Sequence, residues 1–105
     1  MLRASLALEN FVKEKSGRYD VSGSTLMEQV LTPNGPALAF NALADQSDKD
    51  EQRGMMLLFQ GTVFAFRNPR AHKLLEDSPE EALESTALIS LLAKRLEQAK
   101  PVKKA

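Results

Sequence analysis

The stretch Arg67-Asn68-Pro69-Arg70-Ala71-His72 brings two guanidinium groups, an amide and the chain's one histidine within six positions. A guanidinium offers phosphate a planar fork of donors. A histidine titrating at about pH 6.5 can move a proton at neutral pH. RNA supplies what such a set could act on, a phosphodiester beside a 2′-hydroxyl. Removing the hydroxyl proton while an arginine neutralises the phosphate gives cleavage to a 2′,3′-cyclic phosphate without a metal. The same six positions also read as solvated arginines at a helix end followed by a surface histidine. Residue types and spacing leave both readings open.

Other chemistries lack parts. One histidine and no cysteine leave no zinc site of the usual kinds. The stretches "GTVFAF" and "SGST" have neither the spacing nor the lysine of a phosphate loop. Ser22, Ser24 and Thr25 have no local partner that suggests a nucleophilic triad. Asp45, Asp48, Asp50 and Glu51 lack the order and the glycine of a calcium loop and read as solvated. Glu76, Asp77, Glu80 and Glu81 belong with the helix start near them. No cofactor is expected.

Length and composition bound the setting. A chain of 105 residues supports one domain with one core, spanning residues 1–105. With 43% hydrophobic and 27% charged residues it reads as an ordinary globular protein. Lys plus Arg equals Asp plus Glu at 14 each, so any attraction to nucleic acid must come from a local patch. The absence of cysteine agrees with a reducing compartment. Glu9 and Asn10 interrupt any secretory pattern, and Gln60, Gly61 and Thr62 interrupt the longest apolar run. A cytoplasmic protein with no membrane association is expected.

The elements that must position the arginines and the histidine are helices. Leu2 to Lys15 carries Ala4, Leu6, Leu8, Phe11 and Val12 at helical intervals, with Arg3, Glu9, Lys13 and Glu14 between them. Ser16-Gly17 ends it. The pattern begins at the first residue, so either the chain starts inside an element or it is part of a longer protein. Residues 16 to 54 read as irregular. Ser24 is the expected cap of a short helix bearing Leu26, Met27, Val30 and Leu31, and "TPNGP" stops that helix. "ALAFNALADQ" reads either as a packed turn or as a short extended piece.

Asp50 to Phe66 predicts a helix apolar nearly all round, central in its bundle or covered by a partner. Gly54 and Gly61 in it mark either a close approach of another backbone or tolerated glycines. Pro69 limits this helix. Ser78-Pro79-Glu80-Glu81 predicts a capped start for the last helix, with Leu83, Ala87 and Leu91, joined by Thr86, Ile89 and Leu96, along a wide face. Pro101 closes it, and residues 100–105 are expected to fray. No strand alternation is visible. The fold class is all-α, a small four- to five-helix bundle with an irregular linker between the first and central helices.

Three stretches together, "SGSTLMEQVLTPNGPALAFNA", "DEQRGMMLLFQGTVFAFRNPRAHK" and "PEEALESTALISLLAKRL", resemble the Ymh-type domain of unknown function. That domain is similar to members of the HEPN superfamily, helical domains of toxin, abortive-infection and phage-defence systems. The resemblance covers nearly the whole chain. It implies a HEPN-like bundle, a homodimer and a metal-independent endoribonuclease. The superfamily motif is an arginine, a polar residue and then a histidine. Arg67, Asn68 and His72 match it with four intervening residues between arginine and histidine.

By that resemblance Arg67 would hold the scissile phosphate, His72 would act as general base or acid, and Asn68 would orient the phosphate or its partner. Two copies would face each other in a composite site. Arg70 is added as a phosphate contact on physical grounds. RNA is the implied substrate, with a cognate antitoxin or defence-system component as a further partner. Two other readings stay open. One is a non-catalytic module that binds RNA, a nucleotide or a protein through the same surface. The other is a dimerisation domain built on Met55 to Phe66.

Overall fold

The computed structural model describes residues 2–67 and 78–102. Within them the chain forms four helices, α1 (Leu2–Ser16), α2 (Gly23–Leu31), α3 (Gln46–Arg67) and α4 (Pro79–Gln98). A two-residue antiparallel ladder joins β1 (Leu38–Ala39) to β2 (Lys100–Pro101). The expected all-α class holds, as a small helical bundle.

Local chemistry explains most helix ends. Gly17 stands in the left-handed region (φ 75°) and its N–H reaches the Lys13 carbonyl at 2.8 Å, the glycine stop that closes α1. At the start of α4, Ser78 Oγ accepts from the Glu81 N–H at 3.1 Å, with Pro79 as the first helical residue, as expected. α3 begins at Gln46, four residues ahead of the expected Asp50. The reason is a cap hidden in an acidic run that reads as a loop. Asp45 Oδ1 accepts from the Asp48 N–H, and Asp48 Oδ2 accepts in return from the Ala44 N–H, each at 2.9 Å.

The start of α2 also differs from expectation. Its cap is Ser22 rather than Ser24, and the Ser22 side chain makes no capping bond. The acceptor comes from another helix. Glu9 of α1, 3% exposed, receives the Gly23 N–H at 2.9 Å on Oε1, while Lys13 Nζ stands 3.9 Å from its Oε2. A carboxylate at a helix N-terminus is favourably placed against the helix dipole.

α3 packs along α2 and against α1, and α4 packs on α1. The core between them holds Leu8 and Val12 of α1, Leu26, Met27, Val30 and Leu31 of α2, Phe59, Val63 and Phe66 of α3, and Ile89, Leu92 and Leu96 of α4. The buried stripe of α4 is therefore Ser85, Ile89, Leu92 and Leu96. Leu83 and Leu91 of the expected face are 72% and 52% exposed. A helix rich in leucine around its circumference offers several stripes, and the position of α1 selects one.

The linker between α2 and α3 takes the extended alternative, and Gln52 organises it. This side chain is fully buried and makes three hydrogen bonds. Its Nε2 donates to the carbonyls of Leu31 (2.9 Å) and Leu38 (3.0 Å), and its Oε1 accepts from the Phe40 N–H (2.9 Å). The Phe40 ring then packs 5.9 Å from that of Phe59. The start of the tail is not frayed. Lys100 and Pro101 pair with Ala39 and Leu38, and the Val102 N–H bonds to the Ala37 carbonyl at 2.9 Å.

Replacing Gln52 by Met keeps the length and apolar volume but leaves two carbonyls and one N–H buried without partners. The loss should be on the order of 2–4 kcal/mol, measured by urea denaturation. A loss below about 0.5 kcal/mol, the range of an ordinary surface change, would show that the linker does not depend on this amide.

Candidate functional site

Arg67 is the last residue of α3, one position after Phe66, which is 4% exposed. Phe59, Thr62, Val63 and Phe66 form the inward stripe of the helix at helical spacing. Four buried contacts over two turns fix the rotation and register of α3 at this end. The backbone of position 67 thus leaves the core at a defined point. Asn68, Arg70, His72 and the side chain of Arg67 lie outside the described residues. The chain re-enters the description at Ser78, the cap of α4.

Residues of α3 and α4 line a common groove. Met55 and Leu58 from the middle of α3 line it together with Leu91 and Leu92 from the second half of α4. Phe40 also lines it, with Glu51, Arg95 and Gln98, and its volume is about 220 Å³.

Several described cations are already engaged. Arg18 donates from Nε to Asp20 Oδ1 at 2.9 Å and from a terminal nitrogen to Gln29 Oε1 at 2.6 Å. That hydrogen bond from Arg18 holds the exposed Asp20 carboxyl below the usual carboxylate range. Lys15 Nζ donates to the Glu97 carbonyl at 2.6 Å, tying α1 to the end of α4. Lys49 and Arg53 share a polar surface cleft with Glu28 and Asp50. These groups of mixed sign do not make an anion site. The expected phosphate contacts, Arg67 and Arg70, are not among the described side chains. Among the described residues no three His, Cys, Asp or Glu side chains cluster as a metal site would need. No helix among them is long and apolar enough to cross a membrane.

Sequence reasoning missed one feature and left a second without a position. Glu9, expected on the solvent side of α1, is buried as the cap of α2, and only contact between the two helices shows it. The second is an outward apolar ridge on α3. Gly54, Leu57, Leu58, Gly61, Phe64 and Ala65 are all exposed, with Leu57, Leu58 and Phe64 at 51%, 50% and 68%. A Cβ added at Gly54 or Gly61 would meet nothing within 4 Å, so among the described residues no backbone crowds either glycine. The all-round apolar sequence of α3 resolves into an inner face used by the core and an outer face left open.

Phe66→Ala should cost about 3–5 kcal/mol, as large core truncations do, and should loosen the point from which position 67 emerges. Chemical denaturation measures the first effect. A cost under about 1 kcal/mol would mean that the helix end is anchored elsewhere.

No curated protein and no solved structure gives a significant match to the chain. A family model described as "Protein of unknown function (Hypoth_ymh)" matches residues 1–96. By its sequence over nearly all its length, the chain belongs to that Hypoth_ymh family.

Proposed function

We propose that the protein is a metal-independent endoribonuclease of HEPN type, acting at the segment Arg67 to His72. The observation that carries this reading is the anchoring of α3. Phe59, Val63 and Phe66 are buried, so the "RNPRAH" segment starts from a fixed helix end. Proline at position 69 stiffens the exit by fixing its own φ. A catalytic group needs such a foundation, because misplacement by about 1 Å can cost a hundredfold in rate.

In this reading Arg67 holds the scissile phosphate, aided by Arg70, and Asn68 orients it. His72 takes the proton of the 2′-hydroxyl as general base, or delivers one to the leaving 5′-oxygen as general acid. The second of these two proton transfers falls to the other copy's histidine or to water. The bond formed is 2′-oxygen to phosphorus and the bond broken is phosphorus to 5′-oxygen, so neither metal nor cofactor is required. Two copies of the segment would meet in one composite site. The biological setting proposed is a cytoplasmic toxin or phage-defence system, with an antitoxin or system component as partner. Because the chain carries no net charge, affinity for RNA would come from a local basic patch that includes these arginines and would fall with salt.

Purified protein incubated with single-stranded and hairpin RNA in the presence of EDTA tests the reading. Products ending in 2′,3′-cyclic phosphate are expected. His72→Ala should slow cleavage by about 10²–10⁴-fold, the usual share of general acid–base catalysis. If RNA stays intact, or if His72→Ala cleaves as the parent does, the reading is wrong. RNA retained on the protein uncut, with retention lost in Arg67→Ala, would instead support the non-catalytic binding module.

A further inference from the structure

We propose that the groove between α3 and α4 binds a free apolar α-amino acid. Its side chain would lie among Phe40, Met55 and Leu92, with its carboxylate on Arg95 and its ammonium on Glu51. This site stands apart from the ribonuclease reading and does not depend on it.

The two long helices barely touch, because α3 packs on α2 and α1 while α4 packs on α1. A slot of about 220 Å³ is left between them. Each helix turns one stripe into it at helical spacing, Glu51, Met55 and Leu58 from α3 and Leu91, Arg95 and Gln98 from α4. Leu92 in its wall is buried, and Phe40 and Met55 are half-buried. A mostly apolar lining with a few convergent polar groups is the usual form of a small-molecule site. The volume is below the roughly 300–1,000 Å³ of sites for drug-sized ligands, so the occupant is small, with one bulky apolar group.

Charge selects that occupant. Glu51 and Arg95 line the same slot yet form no ion pair with each other. Neither has an opposite charge three or four positions away on its own helix. Among the described residues Arg95 makes no hydrogen bond or ion pair at all. Its guanidinium fork is therefore open to a carboxylate, which it can take with two parallel bonds.

Glu51 is held in place from the linker. Asn41 Nδ2 donates to Glu51 Oε1 at 2.9 Å and to the Asp48 carbonyl at 2.8 Å, while Asn41 Oδ1 accepts from the Leu43 N–H at 2.8 Å. Leu43 stands in the left-handed region, φ 52°, which a leucine enters only at a cost. The turn thus spends backbone strain where it orients the amide that fixes Glu51. The second carboxylate oxygen, Oε2, is left to accept from a ligand.

A fixed carboxylate, an open guanidinium and apolar walls match one chemistry. The ligand carries an ammonium and a carboxylate on a single carbon, together with an apolar side chain. Free leucine, methionine and phenylalanine have that form. A peptide separates its two termini, and a fatty acid has no ammonium for Glu51.

Isothermal titration of the full chain with L-leucine, L-methionine and L-phenylalanine tests the site. At least one should bind saturably, in the micromolar to low-millimolar range expected of so small a ligand. N-acetyl-leucine lacks the ammonium and leucinamide lacks the carboxylate, and each should bind about tenfold more weakly than leucine, or worse. Arg95→Gln and Glu51→Gln, both at exposed positions, should weaken binding roughly 10–100-fold while keeping the melting temperature of the unliganded protein. Arg53→Gln, in the other cleft, should bind as the parent does. In ¹H–¹⁵N spectra the ligand should move the signals of Phe40, Met55 and Leu92.

Three results each overturn the proposal. One is saturation by none of the three amino acids. Another is acetylated or amidated leucine binding as well as leucine. The third is Arg95→Gln binding as tightly as the parent. Since none of these measurements uses RNA, failure here is distinguishable from failure of the ribonuclease reading.

Discussion

One buried amide carries an unusual share of this architecture. Gln52 sits on α3, yet all three of its side-chain hydrogen bonds go to the backbone of the α2–β1 region, at Leu31, Leu38 and Phe40. Leu31 ends α2 and the other two lie beyond it, where backbone groups lack helical partners, and burying them unpaired would cost more than packing returns. Gln52 satisfies them and thereby allows Leu38 to be fully buried and Phe40 to reach Phe59. The same bonds lock α3 to α2. The consequences run along the helix: with its rotation set at Gln52 and again at Phe59, Val63 and Phe66, the backbone position of Arg67 is set as well.

The C-terminal residues depend on this arrangement at one remove. β1 is extended because Gln52 and the end of α2 hold it so, with the Ala37 N–H on the Val30 carbonyl at 2.8 Å. Its other edge is then open, and Lys100 and Pro101 close it. Pro101 suits this place, since an edge position with no call on its N–H is where a ladder tolerates proline. The result ties the end of α4 to the linker, while Lys15 ties it to α1. A small bundle gains stability from such long-range ties because its core is limited.

α3 also shows how one helix can serve two purposes. Its inner stripe belongs to the core, and its outer ridge of glycine, leucine and phenylalanine is left uncovered among the described residues. An apolar patch of this kind is unusual on a protein that works alone. One helix can carry a buried and an exposed apolar face because successive helical positions point about 100° apart.

Much of the fold was legible in the sequence. The α1 stop at Gly17, the Ser78-Pro79-Glu81 start of α4 and the turn at Asn34-Gly35 each depend on residues within about four positions, so the residue types announce them. The resemblance to the Hypoth_ymh family was likewise carried by residues in plain order. The early start of α3 was local too, but its Asp45–Asp48 cap was masked by an acidic run that looked solvated. For the candidate site, the sequence named Arg67, Asn68, Arg70 and His72, and the structure added where the helix before them is anchored.

What the tertiary structure alone decided was which of several equivalent surfaces each helix would bury. Leu83 and Leu91 looked as suited to the core as Ile89 and Leu92, and Glu9 looked like a surface charge. The core was settled by the position of α1, and Glu9 by the N-terminus of α2 standing beside it, 14 positions on in sequence. Hydrophobicity is non-directional, so composition shows how much will be buried but not against what. Caps and turns are short-range and directional, and the sequence by itself determines those.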